Sequence, residues 1–114
     1  TTGGIRRRAV AEQVLAQGMA MVGMGTALAI EPNLPAQWQT GQNSVAELPA
    51  VEWKDKVMSA VATMALIRRQ LQRLGHNRRP KPNSSPALAL LLDQLRLAGL
   101  TRRYRRWLAQ RPNA

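Results

Sequence analysis

Few residues in this chain are equipped for chemistry. There is one histidine, His76, and no cysteine, so thiolate nucleophiles and thiolate metal sites are excluded. A lone histidine with no second ligand near it in sequence does not make a metal centre, because such sites need several donors. Glu47, Glu52 and Asp55 cluster around a helix start, where acids complement the helix dipole. That leaves two glycine turns near the beginning, Gly3-Gly4 followed by Ile5, and Gly23-Met24-Gly25 followed by Thr26. Glycine permits positive φ and a close backbone approach, so two such turns can aim N–H groups at one anion. Short glycine motifs are of low specificity, and the residues alone allow either plain turns or a phosphate cradle.

The elements that would position these turns follow from periodicity and punctuation. Ile5 to Gln17 places Val10, Val14 and Leu15 on one helical face, and Gly18 ends that helix. Met19 to Met24 is short, apolar and uncharged, which predicts a strand covered on both faces. Thr26 to Ile30 suits one or two helical turns, and Asn33 with Leu34-Pro35 opens a short helix that fades near Thr40-Gly41. Residues 42–49 read as loop. A long helix from Val51 to about Leu74 carries Val57, Val61, Met64, Ile67 or Leu71, and Leu74 as its expected buried stripe. The Pro-, Ser- and Asn-rich stretch from Gly75 to Ser85 reads as a linker. Ser85-Pro86 is a strong helix start, followed by Ala87 to Ala98 with Leu88, Leu91, Leu92 and Leu95 facing inward and Gly99 as the stop. A last amphipathic helix spans Thr101 to about Gln110, setting Tyr104, Trp107 and Leu108 against Arg102, Arg103, Arg105 and Arg106.

The 114 residues suffice for one domain, and with 45% apolar residues, 4% aromatic residues and no phenylalanine its interior must be aliphatic. The net charge of +11 is unevenly placed. Up to Ala65 five basic residues balance five acidic ones, so the whole excess lies after Leu66. This basic tail raises nucleic acid, a partner subunit or an anionic membrane as candidate partners. No apolar run approaches a membrane span, and the start lacks the succession of a secretory signal, which leaves the cytoplasm as the default expectation.

Thr2-Gly3-Gly4-Ile5-Arg6, the spacing to Met21-Val22-Gly23-Met24-Gly25, and Ala29-Ile30-Glu31-Pro32-Asn33-Leu34-Pro35 together resemble the C-terminal part of the NADH:flavin oxidoreductases of the old yellow enzyme family. The tail residues Ile67 to Gly75 and Arg102 to Leu108 are similar to that family's tail. The family fold is an FMN-binding (β/α)8 barrel. The resemblance therefore implies an α/β fragment comprising the end of strand seven, helix seven, strand eight at about 19–24, helix eight and a helical tail. Residues 1–75 would be barrel, 76–85 linker and 86–114 a basic helical extension. In barrels of this type, the loops after strands seven and eight with a short extra helix commonly bind phosphate.

Carried over by position, the family implies donation to the FMN phosphate from Gly4 and Gly25, with Gly3, Ile5 and Thr26 lining the site. The expected chemistry is reduction of flavin by NAD(P)H and hydride delivery to a small-molecule acceptor such as an activated alkene. The family's acceptor-binding residues lie on earlier strands, so catalytic residues are expected outside these 114. One departure matters: Thr26 stands where the family usually has arginine, removing a charged donor worth roughly 1.5 to 3 kcal/mol of grip. Arg6 is the candidate substitute. The chain alone is expected to be inactive, to lose FMN on purification and to self-associate through the uncovered strand. The alternative from another class is a small basic helical protein that binds nucleic acid through its arginine-rich tail.

Overall fold

A computed structural model describes residues 3–111, and over that range the chain is helical. Five helices follow in order: α1 (Arg8–Ala16), α2 (Gly25–Ile30), α3 (Leu34–Gln39), α4 (Lys56–Gly75) and α5 (Pro86–Ala109). No strand or sheet occurs among the described residues. This overturns the α/β barrel fragment expected from the resemblance. Residues 19–24 run as an irregular extended segment with strand-like pairing at Gly23 alone. Met19 and Met21 are exposed, not covered on both faces. An apolar hexapeptide becomes a buried strand only when neighbours pair its backbone on both sides, and no sheet among the described residues supplies them.

Local signals explain most helix ends. Gly18, at φ +92°, closes α1, with Gln17 N donating to Gln13 O at 3.1 Å and Gly18 N to Leu15 O at 3.0 Å. Arg8 bonds Glu12 at 2.6 Å one turn on and also donates to Trp38 O at 3.1 Å, tying α1 to α3. The N-cap of α4 is Asp55, whose Oδ1 accepts from Val57 N at 2.8 Å and Met58 N at 3.1 Å. At the other end of α4, Asn77 takes a left-handed φ of +56°. Arg78 N then donates to Arg73 O at 2.9 Å, as in a Schellman closure. Ser85 Oγ accepts from Leu88 N at 3.4 Å, with Pro86 at the first helical position of α5.

Gly99 does not stop that helix. α5 continues unbroken to Ala109, merging the two expected helices into 24 residues. Mid-helix glycine costs only about 1 kcal/mol, and good helix formers flank it on both sides. Termination would need a positive φ, which Gly99 lacks.

Two apolar clusters hold the molecule. Ile5, Ala11, Ala27, Ile30, Leu34, Trp38 and Ala46 form the first, with Val14, Val22, Met24, Leu28 and Leu48 packed around it. Ala65, Leu66 and Ala89, flanked by Val51 and Leu90, form the second, where α4 meets α5. α2 also packs on α4, bringing the two parts together. The stripes expected to face inward do not. Val57, Val61, Met64 and Leu71 are exposed on α4, as are Leu88, Leu91, Leu92 and Leu95 on α5. At the seam Ala65 on α4 and Ala89 on α5 sit beside Leu66, the alanines letting the helix backbones approach closely.

The connection 76–85 is irregular but fastened. Gln70 Oε1, on a fully buried side chain, accepts from Lys81 N at 2.7 Å, and Arg73 Nε donates to Arg79 O at 2.8 Å.

Candidate anion site

The two glycine turns meet. Gly3, Gly4, Ile5 and Arg6 line one side of a cavity of about 180 Å³, and Gly23, Met24, Gly25, Thr26 and Ala27 line the other. All five residues singled out from the sequence, Gly3, Gly4, Ile5, Gly25 and Thr26, thus border a single opening. Among the described residues no sheet brings them together. Ile5 and Ala27, both buried in the first cluster, form a shared apolar floor from which the two turns rise. The first turn is further held by Arg6 O, which accepts from Ala46 N at 3.3 Å.

Backbone conformation explains the glycines at 3 and 4. Their φ values are +103° and +69°, a region that side chains avoid. At Gly25 the requirement differs. Its φ is ordinary, and a Cβ there would meet nothing within 4 Å, so what a side chain would take is open space at the cavity. Gly25, Thr26 and Ala27 open α2, and the N–H groups of a helix's first turn have no intrahelical acceptor. α2 is only six residues long. The turn therefore offers N–H donors and the Thr26 hydroxyl more than a developed helix dipole.

Arg6 supplies the cation. It is exposed and lines this cavity, as it does the neighbouring one bordered by Val45 and Asn83. A guanidinium with two sets of backbone amides suits a phosphate monoester, which accepts several charge-assisted hydrogen bonds. At about 180 Å³ the cavity lies below the roughly 300 to 1,000 Å³ of pockets that enclose whole small molecules. It matches one end of a ligand, with the remainder outside.

A second cationic cluster was not legible as a site from the sequence. Arg69, Gln72, Arg73, His76 and Arg78 line a shallow depression of about 320 Å³ at the end of α4. The spacing of 69, 73 and 76 on one helix face was the available signal. His76 Nδ1 lies 2.7 Å from Gln72 O and caps the helix end. Among the described residues no group of three or more His, Cys, Asp or Glu side chains could hold a metal ion. No described helix is long and apolar enough to cross a membrane. No family model, curated protein or solved structure matches the chain.

Proposed function

We propose that this chain grips the phosphate of FMN between its two glycine turns and serves an FMN-dependent NAD(P)H oxidoreductase that reduces a small-molecule acceptor in the cytoplasm. The carrying observation is that Gly3-Gly4 and Gly25-Thr26, far apart in sequence, line one cavity together with Arg6. The cradle and the flavin chemistry are those the family resemblance implies, without the barrel. The residues fit the phosphate end of the cofactor in donor type and in size: amide N–H groups, one hydroxyl, one guanidinium and a space for one headgroup. Bound flavin would supply hydride transfer. The chain's own part is to hold and orient the phosphate, with Arg6 neutralising charge and Ile5 and Ala27 keeping the floor dry.

The test compares FMN, riboflavin and inorganic phosphate by equilibrium titration of flavin fluorescence. FMN should bind, phosphate should compete, and riboflavin should bind at least about tenfold more weakly, since it lacks the group that accepts the charge-assisted bonds. Arg6→Gln should weaken FMN by about 10- to 100-fold. Equal binding of riboflavin and FMN, or no FMN binding at all, would refute the reading.

A further inference from the structure

The contacts between α4 and α5 advance together along both helices. Ala65 and Leu66 meet Ala89, Arg68 bonds Asp93 at 2.8 Å, and Leu71 and Gln72 share a shallow groove with Leu97 and Leu100. α5 does not end there. At 3.6 residues per turn, the stretch after Leu100 adds about two and a half further turns. Every residue from Gln94 to Arg111 is exposed.

The helix face that meets α4 keeps its apolar character beyond the point where α4 covers it. At 3.6 residues per turn, Leu97, Leu100, Tyr104, Trp107 and Leu108 continue the stripe begun by Ala89, Leu90 and Asp93. All five are at least 40% exposed. Tyr104 and Trp107 stack with ring centroids 5.8 Å apart, and the Arg111 guanidinium lies 4.8 Å from the Trp107 ring. Around the rest of the helix stand Arg96, Arg102, Arg103, Arg105 and Arg106. From Gln94 to Arg111 there is no acidic residue.

We infer that this projecting half of α5 is an interfacial helix that docks on an anionic lipid bilayer. Its two faces fit the two layers of a membrane surface: arginines pair with lipid phosphates, while leucines and the aromatic pair enter the acyl boundary. A second copy of the chain is a poor occupant, because pressing two such faces together juxtaposes arginines with no acid to offset them. A nucleic acid would engage the arginines but leave Leu97, Leu100 and Leu108 in water.

The test is flotation of the full chain with vesicles of phosphatidylcholine, with and without a fraction of phosphatidylglycerol, at near-physiological salt. Binding to the anionic vesicles should exceed binding to the neutral ones by about tenfold or more, given about fivefold per basic residue at the surface. Arg102, Arg103, Arg105 and Arg106 changed together to Gln should lose about a hundredfold or more. Leu100→Gln with Leu108→Gln should lose about tenfold or more, since both side chains enter the apolar layer. Lipid brominated in its acyl chains should quench wild-type fluorescence more than that of Trp107→Phe. Arg102 to Leu108 lie beyond the α4 seam and Leu100 borders its last groove, so unchanged circular dichroism would confirm that the variants keep the fold. Wild-type binding by the leucine variant would overturn the inference, as would equal binding to neutral vesicles. So would a labelled single-stranded RNA that binds more tightly than the vesicles and displaces them.

Discussion

Leu66→Ala is the perturbation whose consequence follows most directly from the packing. Leu66 is fully buried where α4 meets α5, and of the buried apolar residues only Ile5, Ile30, Leu34, Trp38 and Leu66 are larger than alanine. Removing its three outer carbons forfeits about 2.4 kcal/mol of transfer free energy at roughly 0.8 per carbon. The cavity left behind raises the cost to about 3 to 4 kcal/mol, because close-packed neighbours collapse only in part. Domains of this size are stable by roughly 5 to 15 kcal/mol, so the loss is a large fraction of the total. In urea, with a slope of about 1.5 kcal/mol per molar, the midpoint should fall by about 2 M. Circular dichroism reads the whole helix content, and fluorescence in a Trp53→Phe, Trp107→Phe background reads Trp38 in the first cluster. Leu91→Ala, on an exposed face of α5, is the matched control and should cost less than about 0.5 kcal/mol. If Leu91→Ala cost as much as Leu66→Ala at protein concentrations where the chain is monomeric, the face assigned to solvent would be the buried one and the packing described here would be wrong.

Other expectations separate the remaining interactions. Gly25→Ala should leave urea stability unchanged or improve it by up to about 1 kcal/mol, because its φ suits alanine and the Cβ meets nothing. The same variant should weaken FMN binding in the flavin titration, and undiminished binding would remove Gly25 from the cradle. Gly4→Ala carries a different cost, about 1 kcal/mol of backbone strain at φ +69° read as a lower midpoint, whether or not ligand is present. Asp55→Ala removes the acceptor for Val57 N and Met58 N and should cost about 1 kcal/mol in urea, with Asp55→Asn largely restoring it. Gln70→Leu leaves the Lys81 N–H without its partner, so hydrogen exchange at Lys81 should accelerate and stability fall by about 1 to 3 kcal/mol. Unchanged exchange there would mean that the 76–85 connection is held by other contacts.

The sequence by itself determined several of the helix ends, though not the start of α4, which is Lys56 and not Val51. Gly18, Asp55, Asn77 and Ser85-Pro86 act within one turn of their own position, so their effect needs no distant partner. It also determined the location of the excess charge and the presence of two glycine turns. Gly99 shows the limit of such local reading: a glycine stops a helix only if the chain beyond it is better off turning, and here the helix continues. Met19 to Met24 shows the same limit for strands, since hydrophobicity marks a segment to be covered but does not supply the backbone partners that would make it a strand.

Tertiary structure decided which helix faces are buried. α4 and α5 carry apolar residues around most of their circumference, so periodicity could not choose among faces. The choice fell to the alanines that allow close approach and to the Arg68–Asp93 pair across the seam. It also decided the candidate site. Gly3-Gly4 and Gly25-Thr26 lie about twenty residues apart in sequence, and no local rule places them together. The shared floor of Ile5 and Ala27 does so, and the same packing puts Arg6 on the cavity where Thr26 lacks a charge. Local chemistry set the parts; the burial of a few aliphatic side chains chose which parts face one another, because only contacts distant in sequence distinguish one apolar face from another.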